Sequence, residues 1–343
     1  MDFGRRNGKI MLKKLYFVLG VAGLLMVCGI CIFAAAEIKN HDKEYFALFG
    51  RHMKVFSPEI PVSANFAGEA VPLEVIYVKE AFDREIMAGT FMQSSTIMMF
   101  KRACRWFPVI EPILKKNGIP DDFKFLVLAE SNLVNVVSPA GAEGYWQFIK
   151  TSGVRYGLEI NEFVDERYNM EKATQAACNY FRDAYKNLNN WTLVAASYNR
   201  GIDGIGKALV KQKVNNYFDL YLNDETSRYV FRIIALKEIY NHPVRYGFYL
   251  RVRDFYPQIN CRMVVIDSSI NNLLVFAKRL SVNYRILREF NPWIRNYSLP
   301  NKSRKIFVFQ IPKEGALNAE QVLKKVLPSE VFFHDTLKIN EVH

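Results

Sequence analysis

The sequence predicts a mainly α-helical protein that carries a small βααβ unit behind its helical part and an apolar segment in front of it. Three observations predict this. Apolar residues recur three and four apart through most of residues 81–255. Two β-prone runs, Met263 to Ile266 and Lys305 to Ile311, then bracket two short amphipathic stretches. Ahead of both, 22 uncharged residues run from Leu15 to Ala36. Half of the 343 residues are hydrophobic and 23% are charged, so apolar surface is ample to offset chain ordering and a disordered protein is excluded. The five cysteines, Cys28, Cys31, Cys104, Cys178 and Cys261, are too sparse and odd in number for a disulfide scaffold.

Arg5, Arg6, Lys9, Lys13 and Lys14 precede the apolar run. A run of this length spans a bilayer and the basic flank stays on the cytoplasmic side, which makes 1–14 a cytoplasmic segment, 15–36 a transmembrane anchor or signal, and the rest an exported protein. Ala34-Ala35-Ala36 resembles a processing site, while the length of the run favours an uncleaved anchor. The net charge of +12 calls for a polyanionic neighbour; export excludes nucleic acid and leaves anionic lipid or cell-wall polymer. Cys104, Cys178 and Cys261 read as buried free thiols.

Residues 37–84 hold Pro58, Pro61 and Pro72 without a sustained period and read as a linker. A helical domain follows over 85–258. Ile97 to Leu114 is periodic, but Pro108 and Pro112 predict a kink or a break in two. Pro120, Asp121 and Asp122 suit the first turn of a helix that runs through Phe123 and Leu128 to Glu130. Met170, Ala173, Ala177, Tyr180 and Ala184 share one face of a long helix, Asn190 caps another that ends near Gly201, and Ser227 to Tyr240 forms a third before Pro243. The βααβ unit occupies 259–312, with helices over Asn272 to Arg279 and Tyr284 to Phe290. The tail, 313–343, adds a short helical stretch around Ala319 to Val326.

Glu130 closes an otherwise oily helix, where desolvation and the negative end of the dipole disfavour its ionised form. A carboxyl with a raised pKa is the general acid that glycosidic cleavage requires; the alternative is a helix-end glutamate facing solvent. Gly141 to Gly144 allows a close backbone approach, and Tyr145, Trp146 and Gln147 offer either stacking and amide bonding for sugar rings or ordinary core packing. Tyr198-Asn199-Arg200-Gly201 and Glu225-Thr226-Ser227-Arg228-Tyr229-Val230 place polar groups at helix ends, as expected where several helices converge on one cleft. Glu143 reads as a solvated turn residue, and Asp165, Glu166 and Arg167 as a loop pinned by ion pairing. His41, His52, His242, His334 and His343 lack metal-site spacing, so neither metal nor other cofactor is implied.

Taken together, Glu130-Ser131, the Gly141 to Gln147 stretch, Tyr198 to Gly201 and Glu225 to Val230 resemble, in order and approximate spacing, the motifs of the soluble-type lytic transglycosylases. The resemblance spans about residues 85–250. It implies a lysozyme-like helical domain that cuts the β-1,4 bond between N-acetylmuramic acid and N-acetylglucosamine in peptidoglycan strands, with Glu130 as the single acid and base and a 1,6-anhydro product. It further implies substrate-lining roles for Ser131, Tyr145, Gln147, Tyr198, Asn199 and Tyr229, and a periplasmic domain held in the cell envelope. Tyr145 and Arg200 depart from the residues usual at those positions. The βααβ unit resembles a degenerate LysM module in which Ser268-Ser269-Ile270 replaces the usual turn, so that sugar binding and mere packing both remain open. A lysozyme-type muramidase and a non-catalytic wall-binding protein are the alternative functions.

Overall fold

The computed structural model describes residues 55–251 and 254–323, with the isolated positions 20, 26 and 43. The chain divides into two compact units, Met1–Ser57 and Pro58–His343, and every strand and helix with described bounds belongs to the second. Among the described residues no helix is long and apolar enough to cross a membrane; the 15–36 segment lies outside them apart from Gly20 and Met26. Cys28 and Cys31 lie outside them as well.

Strands β1 (Asn65–Phe66) and β2 (Glu69–Ala70) form a minimal antiparallel hairpin before helix α1 (Ile76–Phe91). The second half of the expected linker is therefore built into the domain: Phe66, Val71, Val78 and Phe82 all lie in the main core. Two-residue strands carry no readable period, which is why the sequence reads as a spacer there.

Helix α2 (Gln93–Lys116) runs unbroken through Pro108 and Pro112. The expected break into two helices is thus corrected. The two prolines stand one turn apart and are both exposed, so their rings project from the solvent side of the helix and leave its packed face undisturbed. Phe100, Ala103, Phe107, Ile110 and Leu114 bury the opposite face.

A 3₁₀ turn at Asp121–Phe123 leads into α3 (Lys124–Ser131). Asp122 accepts from the Ala67 amide at 2.6 Å and pairs with Lys237 at 2.6 Å, which ties the hairpin to the entrance of α3. Phe125, Leu126, Val127 and Leu128 are all buried, so α3 threads the core. Phe123 packs its ring against Phe66 (5.1 Å), Phe181 (4.5 Å) and Trp191 (5.4 Å), joining the hairpin, α3 and the later helices in one aromatic cluster.

Strands β3 (Val136–Val137) and β4 (Glu143–Gly144) pair antiparallel after α3, and α4 (Lys150–Arg155) follows. Helix α5 (Met170–Leu188) buries Met170, Ala173, Ala177, Tyr180 and Ala184, the face its spacing predicts, and starts at Asn169, whose side chain accepts from the Lys172 amide. Asn190 caps α6 (Trp191–Arg200) by accepting from Leu193 N at 2.8 Å. Helix α7 (Ile202–Gln212) comes next. Helix α8 (Asp224–Asn241) then packs against both α1 and α3.

The βααβ unit comprises β5 (Cys261–Ile266), α9 (Leu273–Arg279), α10 (Tyr284–Phe290) and β6 (Phe307–Pro312), followed by α11 (Ala319–Leu323). β5 and β6 pair antiparallel from Cys261↔Pro312 to Ile266↔Phe307. Asn272 and Asn283 cap the two helices through their side chains. Cys104, Cys178 and Cys261 are free thiols as expected, but only Cys178 is buried; Cys104 and Cys261 are half-buried.

Candidate active site

Three helix ends and one turn assemble the site. α3 brings Glu130, α6 brings Tyr198 and Asn199 in its last turn, α8 brings Glu225 and Tyr229, and the β4 turn brings residues 143–148. Glu130 occupies the final turn of α3, where no basic side chain offsets the dipole, and the helix stops at Asn132 in the left-handed conformation (φ 49°).

The Tyr229 hydroxyl donates a short hydrogen bond to Glu130 Oε1. Burial lifts the Glu130 carboxyl from its ordinary 4.5 to about 7. The Tyr229 hydrogen bond and the Arg232 guanidinium pull it down, and the Glu225 charge pushes it up, but desolvation is the largest cause. Tyr229 is buried and its own phenol is held well above 10, first by burial and then by the Glu130 charge. It therefore donates and does not ionise. Tyr198 behaves alike: its phenol is raised by burial and by Glu130, and its hydroxyl donates to the Trp146 carbonyl at 2.7 Å.

Asn199 is held between two residues of α8. It donates to Glu225 at 2.9 Å and accepts from Thr226 Oγ1 at 2.7 Å. Glu225 itself is exposed.

The turn after Glu130 is tightly constrained. Gly144 has φ +81°, and a Cβ there would lie 2.1 Å from the Arg167 carbonyl oxygen, so only glycine fits. Gln147 adopts φ +51°, uncommon for a residue with a side chain, and its Nε2 donates to the carbonyls of Val136 (3.0 Å) and Gly144 (2.7 Å). Ser131 Oγ donates to the Tyr145 carbonyl at 2.6 Å, locking the end of α3 to the turn. Tyr145 is buried with its ring 5.2 Å from Trp106, and Trp146 is fully buried with Nε1 donating to Thr174. Of the two readings open for this aromatic pair, the structure gives core packing.

Glu130, Tyr198, Asn199 and Tyr229 are thus brought together, while Ser131, Tyr145 and Gln147 shape the turn beside them. Glu143 is not a solvated residue, as the sequence suggested. It pairs with Arg167 at 3.0 Å and accepts from the Tyr168 hydroxyl at 2.7 Å. Its position beside a compact loop with a guanidinium and a phenol explains this. Asp165, Glu166 and Arg167 pin that loop, with Arg167 donating to Asp165 at 2.6 Å.

Sequence reasoning missed Glu85 and Arg232. Glu85 on α1 is 3% exposed and meets Arg228 (2.7 Å), Arg84 (3.4 Å) and Arg232 (3.6 Å). Arg232 lies one turn beyond Tyr229 on α8 and so stands between the two glutamates' fields. Arg228, within the motif already singled out, was the available signal. A separate cavity of about 340 Å³, lined by Glu69, Tyr77, Asn190, Thr192 and Asp219 among others, lies at the opposite, N-terminal end of α6; there Glu69 is committed to the Trp191 and Thr192 amides.

A helical domain with an acid at the end of a core helix, followed by a βααβ unit, defines the class to which the comparisons point. Residues 107–220 match the transglycosylase SLT domain, and residues 262–315 match the soluble lytic transglycosylase C-terminal LysM-like domain. The chain therefore carries an SLT domain followed by a LysM-like domain. Glu130, Tyr198 and Asn199 fall inside the first match; Tyr229 lies beyond its end. Among curated proteins, the membrane-bound lytic murein transglycosylase D of two Escherichia coli strains is 27% identical over 224 residues, covering 64% of this chain and 48% of the relative. The chain spans about half the length of the curated relatives it matches.

Proposed function

We propose that the protein is a peptidoglycan lytic transglycosylase that cleaves the bond from N-acetylmuramic acid to N-acetylglucosamine and leaves a 1,6-anhydro end. The observation that carries this reading is the Glu130 carboxyl, lifted by burial to about 7 and held by the Tyr229 hydroxyl. Such a group is substantially protonated at neutral pH, so it can give a proton, and it is basic enough afterwards to take one back.

In the first step Glu130 donates its proton to the glycosidic oxygen as the bond from that oxygen to C1 of the muramoyl residue breaks. In the second, the muramoyl C6 hydroxyl oxygen bonds to C1 and its proton passes to the Glu130 carboxylate. The sum consumes no water and restores the acid. One carboxylate is enough, which agrees with the commitment of Glu143 to Arg167 and Tyr168. Asn199 and Glu225 form the polar rim against which a glycan strand is oriented, while the Gln147 amide nitrogen is spent on the Val136 and Gly144 carbonyls and shapes the turn beside it. The 15–36 segment anchors the protein, placing the domain in the periplasmic part of the cell envelope.

Mass spectrometry of muropeptides released from purified sacculi tests this. The expected products carry anhydro ends, lighter by one water than the reducing ends that a muramidase gives. Release of reducing ends would assign hydrolysis; binding to sacculi without any release, equal in wild type and Glu130→Gln, would assign a non-catalytic wall-binding role.

A further inference from the structure

The LysM-like unit does not stand apart from the helical domain. Val164 and Tyr168 of the 159–168 loop are buried in the same cluster as Leu273, Leu287, Trp293 and Phe309 of the βααβ unit. The backbones join as well: Asp165 N donates to the Trp293 carbonyl and Arg295 N to the Phe163 carbonyl, both at 2.8 Å, around a bridge between Val164 and Ile294. Lys305 adds ion pairs to Glu159 and to Glu166. A continuous apolar cluster with strand-like pairing is how one folded body is built, and a tethered module that swings freely would have neither.

From that seam a chain of contacts runs to the site. The Arg295 guanidinium lies 4.1 Å from the centre of the Tyr168 ring, a cation–π contact that fixes the ring plane. The Tyr168 hydroxyl donates to Glu143 Oε2 at 2.7 Å, while Glu143 Oε1 takes Arg167 at 3.0 Å. Arg167 also donates to the Phe148 carbonyl at 3.2 Å, and its own carbonyl is the atom that Gly144 abuts. Both ends of the 143–148 turn are therefore held from the Tyr168 side. Within the turn, the Tyr145 carbonyl receives Ser131, the neighbour of Glu130, and the Trp146 carbonyl receives Tyr198.

We propose that the LysM-like domain braces the active-site turn, and that Arg295 and Tyr168 are positioning residues acting through Glu143 on the 143–148 backbone. This rests on the transglycosylase reading for its catalytic consequence, but not for its structural one. Loosening the brace releases the two carbonyls that fix Ser131 and Tyr198, so Glu130 loses its set angle to the substrate while the glycan-orienting rim of Asn199 and Glu225 stays intact. The expected signature is a fall in kcat with little change in KM.

The test uses the full chain with Arg295→Ala, Arg295→Lys and Tyr168→Phe, and Arg285→Ala as a control on the exposed face of α10, where, among the described residues, Arg285 pairs only with Glu289. Hydrogen exchange of residues 141–148 and sacculus digestion are read together, with melting to verify folding. Tyr168→Phe keeps the buried ring and removes only the hydroxyl, so it carries the test even if Arg295→Ala does not fold. Exchange in the turn is expected to quicken by up to roughly tenfold in Tyr168→Phe, which loses one hydrogen bond, and in Arg295→Ala, which loses the cation–π contact. Turnover falls roughly 10- to 100-fold as the geometry loosens. Arg295→Lys keeps the charge but loses the planar stack and falls between; Arg285→Ala matches wild type. Unchanged exchange in Tyr168→Phe and in folded Arg295 variants overturns the brace, whatever the activity. Quickened exchange with unaltered kcat overturns its catalytic consequence. Quickened exchange beside a Glu130→Gln protein that still digests sacculi leaves the brace standing and removes the transglycosylase reading instead.

Discussion

Helix α8 meets one glutamate through a tyrosine hydroxyl and another through arginines. Glu130 on α3 receives Tyr229, whereas Glu85 on α1 receives Arg228 and Arg232 from α8 and Arg84 from its own helix. The two carboxyls lie on helices packed against the same partner, yet they are suited to opposite tasks. Three guanidinium groups compensate the Glu85 charge and make it a structural tie across the domain. Glu130 is desolvated with one neutral donor and one more distant cation, so its charge is disfavoured and its proton retained to about pH 7. Burial alone does not make an acid; burial without a matched counter-ion does.

The comparison is most severely tested by removing the acid. Glu130→Gln is expected to lose roughly 10²- to 10⁴-fold in kcat on sacculi, the usual contribution of general acid–base catalysis. The same variant should be more stable than wild type. The folded state binds the Glu130 proton more tightly than the unfolded chain does, so the wild-type protein loses stability as pH rises from about 4.5 to about 7. Glutamine is neutral throughout, and denaturant unfolding at pH 8 should show a gain of about 1–3 kcal/mol.

Glu85→Gln should do the reverse, costing about 1–2 kcal/mol as charge-assisted hydrogen bonds to partly exposed guanidinium groups are weakened, as measured by denaturant unfolding. An unchanged midpoint would mean that the three contacts do not act as a tie.

Tyr229→Phe deletes the donor that lowers the Glu130 pKa, so the alkaline limb of the kcat/KM profile should move to higher pH, with turnover down roughly tenfold from lost positioning. Smallest is Arg232→Ala. It removes a cation that also lowers the Glu130 pKa, so the limb should again move upward, by a fraction of a unit, while Arg228 and Arg84 keep Glu85 paired. A shift to lower pH in either variant would contradict the assigned signs.

Much of this arrangement was legible in the sequence because its signals are local. The buried face of α5, the Asn190 cap and the βααβ order all follow from spacing and capping within a few residues. Glu130 was legible for the same reason, standing at the end of four buried apolar residues. Glu85 was not. Its neighbours Arg84 and Ile86 give it the look of a residue at the edge of an amphipathic helix, and its partners Arg228 and Arg232 lie more than 140 positions away. The hairpin at Asn65–Ala70 escaped because two-residue strands have no period, and the continuity of α2 because the exposure of two prolines on one face is a tertiary property. Tyr145 and Trp146 were ambiguous for a related reason: an aromatic pair reads alike whether it faces a ligand or the core, and here it faces the core.

The most direct test of the central claim is the protonation of Glu130 itself, followed by infrared difference spectroscopy of the carboxyl band in wild type against Glu130→Gln across pH 4–9. The account predicts the signal of a half-buried carboxylic acid that is lost with a midpoint near pH 7. A midpoint at the ordinary 4.5 would contradict it, because Glu130 would then be an ionised carboxylate at neutral pH with no proton to give.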